Sequence, residues 1–106
     1  MQQFIAERKL IFSPKDSDVR AEVTIGIGPP FLVTNGMVDF PVPKEGYSAC
    51  HVGIVGLDEK CQDVYGIDSL QAVSLAAGAA EALLKRLSKK YDFFFLSGEL
   101  YFDGGP

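Results

Sequence analysis

His51 is the only histidine among 106 residues, so any chemistry that needs an imidazole must be built around it. Its nearest thiol, Cys50, is its chain neighbour, and neighbours on a strand point to opposite faces. A thiolate–imidazole pair between them is therefore forbidden. Cys61 can return across a hairpin, yet Cys50 or Cys61 with His51 and Asp63 makes an incomplete and unusual zinc set. Asp58 and Glu59 are adjacent in a turn, where both are solvated rather than poised as an acid and a base. Gly26-Ile27-Gly28 has the glycines of a phosphate loop, but Pro29 and Pro30 follow where a helix N-terminus would have to stand. These residues predict no catalytic group, no metal and no cofactor.

One serine remains to be placed. YGIDSLQAVSLA, residues 65–76, sets Asp68-Ser69-Leu70 just ahead of an apolar helical pattern. The stretch resembles the attachment motif of acyl and peptidyl carrier proteins, in which Ser69 would accept phosphopantetheine. That resemblance implies an all-helical bundle with an acidic recognition helix. The flanks have a different character: Pro41, Pro43 and the strand-like VGIVGL lie upstream, FFFLSGELYF lies downstream, and Lys85, Arg86, Lys89 and Lys90 close the helix. Locally the stretch starts a helix. Asp68 is the N-cap, and Gln71 is placed to reach back to the Asp68 N–H and complete a capping box. Ile67 and Ala72 sit where a hydrophobic staple closes, and Gly66 turns the chain out of a strand. Each residue has a structural use, so the likeness to carriers is read as coincidental.

The elements that hold these residues follow from periodicity. A helix is expected over about residues 68–90. Leu70, Val73, Ala77, Ala80, Leu84 and Leu87 recur at heptad-like spacing, widened by Leu75, Ala76, Ala79 and Leu83, and so broad an apolar face suits a helix laid across a sheet. Its length, about 32 Å, matches a strand of about ten residues. VRAEVTIGI (19–27) alternates with period two, as a half-buried strand does, and residues 3–12 read as its hairpin partner. YSACHVGIVGL (47–57) puts Cys50, Val52 and Ile54 on one face and Ala49, His51, Gly53 and Val55 on the other. CQDVY makes a short fourth strand, and the aromatic stretch from Tyr91 supplies a last one. Between them, Pro29, Pro30, Pro41 and Pro43 exclude a central strand from residues 28–46. That segment reads as a long surface loop, with Asn35-Gly36 suited to the turn of a small protruding hairpin.

The expected fold is therefore a single α+β domain over residues 1–106. It has two layers, a four- or five-stranded antiparallel sheet and one long helix on one face. A strand ending CHVGIVGL, a short acidic turn, YGIDSLQAVSLA and a final aromatic-rich strand are together similar to a family of small bacterial proteins of unknown function. In that family a C-x-[VI]-x-G-L strand precedes a G-[IV]-D-S-x-Q-A-L helix; here the first motif is stretched to CHVGIVGL. The likeness runs from residue 20 onward, outside residues 29–46. It implies a compact α+β domain and assigns no activity, cofactor or catalytic residue.

A hydrophobic fraction of 47% with 23% charged residues is that of an ordinary globular chain. The net charge of −4 argues against a nucleic-acid partner, and the basic cluster at the helix end is placed to complement the helix dipole. The apolar run from Leu70 to Leu84 is broken by Gln71, Ser74 and Glu81, so no membrane span is expected. The N-terminus lacks a signal-peptide pattern, and two cysteines are too few for a disulfide framework. A cytoplasmic location is the expectation. With one sheet face under the helix, the other carries Tyr47, Ala49, His51, Val55 and Phe94. An open, half-apolar face is expected to meet a partner unless the Pro-rich loop folds over it. The chain is thus read as a non-catalytic protein-interaction module acting as a homodimer. The alternatives are a small-molecule-binding protein or enzyme with His51 or Tyr47 in a pocket on that face, and a carrier through Ser69.

Overall fold

The computed structural model describes residues 3–102. Alternation builds the first hairpin as expected: β1 (Ala6–Pro14) and β2 (Ala21–Ile27) pair antiparallel from Ala6↔Ile27 to Phe12↔Ala21. The chain then passes Gly28-Pro29-Pro30 into β3 (Phe31–Val33). Both β2 and β3 run along one side of β4 (Tyr47–Val55). Thr24–Ile27 oppose Val55–Val52, and Phe31–Val33 oppose Ala49–Tyr47. The register slips by one residue between the two ladders, which is the count of a β-bulge. The Gly28 N–H still reaches the His51 carbonyl at 2.8 Å, and the prolines, which have no N–H to give, occupy the slipped positions. The prolines thus bar ladder bonds only where they stand, and a strand follows them inside the segment expected to be loop. Asn35-Gly36 does form a turn, with Gly36 at φ 96°, but Phe31–Val33 pairs with β4 instead of folding back as a protruding hairpin.

β5 (Gln62–Gly66) takes the other side of β4, from Ser48↔Gly66 to Val52↔Gln62. β6 (Tyr91–Phe94) lies on the outer side of β1. Leu100 bridges Phe94 and the Tyr101 N–H reaches the Phe93 carbonyl, so the second aromatic run borders β6; its last four residues lie outside the described residues. The protein is an α+β fold: among the described residues it has a six-stranded antiparallel sheet, one strand beyond the expected range, and a single helix.

That helix, α1 (Ser69–Leu87), packs against β2, β4 and β5. Asp68 caps it: its Oδ1 accepts from the Gln71 N–H at 2.8 Å. The Gln71 side chain reaches back one residue further than expected, its Oε1 accepting from the Ile67 N–H at 2.7 Å. The buried stripe is Ala72, Ala76, Leu83, Leu84 and Leu87, and it meets Leu10, Val23, Ile25, Val52, Ile54 and Phe93 in the main core. Leu70, expected in that stripe, is 79% exposed, and Leu75 is exposed as well. The cause lies at Gly66, where a Cβ would stand 2.6 Å from the Ala72 nitrogen. This close approach turns Ala72 toward the sheet, and at about 100° per residue Leu70 then falls nearly opposite.

Candidate binding site on the open sheet face

The face of β4 turned away from α1 carries Tyr47, Ala49, His51, Gly53 and Val55, because alternate residues of a strand share a face. The Pro-rich loop returns over one end of it. Val42 and Val38 pack with Val33, Ala49 and Tyr47 into a second small core, and the Val42 N–H is held by the Asn35 side chain at 3.3 Å. Phe40 adds an edge-on contact to Tyr65, 5.3 Å between centroids, and a tilted one to Tyr47. Ala49 is consequently 0% exposed and has no surface to offer a partner. At the other end, the Arg20 guanidinium lies 3.9 Å over the ring of Phe94, which is buried. Of the five residues placed on this face by sequence, His51 and Val55 reach the surface, Tyr47 is half-covered, and Ala49 and Phe94 are covered from within the chain.

Between the two covered ends the floor is glycine. Gly26 and Gly53 are cross-strand partners, and Gly28 sits beside the His51 Cβ. Phe4 lies directly on Gly26: a Cβ there would stand 2.4 Å from the ring. An aromatic ring covering a strand glycine restores the contact that the missing side chain cannot make. Next to it opens a shallow cleft of about 400 Å³ lined by Gln3, Phe4, Gly28, Pro29, Pro30, Phe31 and His51. His51 is oriented across the strands by Asp63 of β5, its cross-strand partner, with Nδ1 2.8 Å from the carboxylate Oδ1.

This arrangement supplies an oriented imidazole and apolar walls. The lining residues include no hydroxyl or thiol for it to activate. Cys50 is buried on the helix side, where burial pushes its thiol pKa up, and Cys61 is exposed beyond β4, near the Glu59 carbonyl. Among the described residues no three His, Cys, Asp or Glu side chains gather as a metal site. Ser69 stands exposed in the first turn of a helix that lies on a sheet; the helical bundle implied by the carrier resemblance is not the fold.

Sequence reading missed a side-chain cluster on the helix side. Arg8 of β1 donates to Glu81 of α1 and to the Tyr101 hydroxyl, and that hydroxyl donates in turn to Glu81 at 3.0 Å. The hydrogen bond to Glu81 raises the Arg8 pKa, and burial followed by the Glu81 contact raises that of Tyr101. Partners 73 and 93 residues apart leave no local pattern that would have announced them. The Phe4–Gly26 contact did leave one: glycine at alternate positions of an outward face asks for a covering ring. No protein-family model matches this chain, and no curated protein and no solved structure matches it.

Proposed function

We propose that this protein is a binding module that uses its open sheet face and the adjoining edge of β3 to hold a protein partner, and that the partner is a second copy of the same chain. The observation that carries this is the outer edge of β3. Among the described residues Phe31–Val33 is paired on one side only, with β4, and beside the cleft it presents Phe31 at 41% and Leu32 at 60% exposure. An unpaired strand edge is a ready template for another strand. Antiparallel pairing of one β3 with another is self-complementary, as a two-fold dimer requires.

The likeness to the family with the G-[IV]-D-S-x-Q-A-L helix implies the same frame and does not choose among functions.

Sedimentation velocity tests the proposal. The wild type is expected to run as a dimer, and Phe31→Asp as a monomer with an unchanged far-ultraviolet circular dichroism spectrum. A wild type that stays monomeric up to millimolar concentration rules the dimer out. A small-molecule site in the same cleft is favoured by one observation, the imidazole fixed by Asp63 on its wall. It would appear as fragment-induced NMR shifts at Gly28, Phe31 and His51 that His51→Gln removes while leaving the association state unchanged.

A further inference from the structure

At the C-terminal end of α1 a second cavity, independent of the open sheet face, lies between the helix, the start of β2's hairpin turn and the final aromatic segment. At about 580 Å³ it is larger and more enclosed than the cleft on the open face, and it falls within the range of small-molecule pockets, roughly 300–1,000 Å³. Its walls are of two kinds. Lys15, Lys85 and Lys89 bring three ammonium groups, against one carboxylate, Asp92. Lys15 is bound to Asp92 at 2.5 Å, which leaves Lys85 and Lys89 as the uncompensated pair: among the described residues neither makes an ion pair. Lys85 stands in the last turn of α1 and Lys89 in the turn just beyond its Ser88 cap, and both line the cavity. The remaining wall is aromatic. Phe93 forms the base, with the Phe102 ring set against it at 6.4 Å and 69°.

Complementing the helix dipole accounts for cations in the last turns but not for this division of labour. Lys90 turns away to Glu59, 3.7 Å distant, while Lys85 and Lys89 border a cavity with an aromatic base. The geometry points to a binding site for a small organic anion, whose carboxylate or phosphate meets Lys85 and Lys89 and whose apolar body lies on Phe93 and Phe102. A bare inorganic anion would meet only solvent-screened lysines, and a neutral apolar molecule would leave both ammonium groups unanswered.

Titration of the ¹⁵N-labelled protein with octanoate, with octan-1-ol and with inorganic phosphate tests this site. Octanoate is expected to shift the amides of Ser88, Lys89, Phe93 and Phe102. The double variant Lys85→Gln/Lys89→Gln, altered at exposed positions and checked for an unchanged spectrum elsewhere, should weaken octanoate binding by at least about tenfold, the scale of one lost charge-assisted hydrogen bond. Octan-1-ol or phosphate binding as tightly as octanoate, an unaffected double variant, or the absence of shifts at these amides each overturns the assignment. None of these outcomes depends on whether the protein dimerises through β3.

Discussion

Gly66 ends β5 where α1 comes down onto the sheet, and the atoms facing its missing side chain are backbone, the nitrogen and Cα of Ala72 at 2.6 and 3.0 Å. Backbone within a helix cannot swing aside, so Gly66→Ala is expected to cost about 1–3 kcal/mol, read as a lower urea midpoint. Two residues on, Asp68→Ala removes the acceptor of the Gln71 N–H and should cost about 1 kcal/mol by the same measurement. Ser69 beside it needs no prosthetic group to explain its position. Incubation with a promiscuous phosphopantetheinyl transferase should leave the intact mass unchanged, and a discrete adduct on Ser69 would revive the carrier hypothesis. The capping residues were legible because a cap is a local device, set by side chains within four positions of one another. The shift of the Gln71 contact from Asp68 to Ile67 was not, because it depends on the angle at which β5 delivers the chain. The two cysteines separate in the same way. Cys50 is fully buried and Cys61 exposed, so a thiol reagent should modify one cysteine in the native protein and both after denaturation, as counted by mass spectrometry.

At the scale of elements, α1 shows how far periodicity reaches. Its 3.6-residue repeat established a helix with one apolar side, but of the positions expected on that side Leu70, Leu75 and Ala77 are exposed, and Val73, Ala79 and Ala80 are only partly buried. Leu84 is almost wholly enclosed by the main core, and Leu84→Ala should cost about 2–5 kcal/mol. Leu70→Ala should stay within about 0.5 kcal/mol. Equal losses for the two substitutions would mean that the helix is rotated from the position described. β3 shows the opposite limit. Three residues after a proline pair carry too little pattern to mark a strand, and their pairing with β4 becomes visible only when the bulge at Pro29-Pro30 restores the alignment. The hairpin of β1 and β2 was legible because its long alternating strand is joined to its partner by a short turn.

Over the whole molecule, burial has a consequence that pH can read. Cys50 and Tyr101 both have pKa values raised in the folded protein, mainly by burial. Each therefore keeps its proton where the unfolded chain begins to lose it, above the ordinary values of 9.0 and 10.0. The unfolded state then binds fewer protons than the native one, so stability is full below those values and falls as pH rises through them. The urea midpoint should fall from pH 9 upward, and Tyr101→Phe should flatten the upper part of that fall. By itself the sequence determined the class of the fold, the presence of one long capped helix and the face of β4 that bears His51, because periods of two and 3.6 residues and helix caps are written in neighbouring side chains. The tertiary structure alone decided that the Pro-rich segment closes over Ala49, that Phe4 covers Gly26, that Arg8, Glu81 and Tyr101 meet, and that Lys85 and Lys89 face an aromatic base. Each of those contacts joins residues on separate segments of the fold, and the register and angle of packing that bring them together are set by the fit of the whole core.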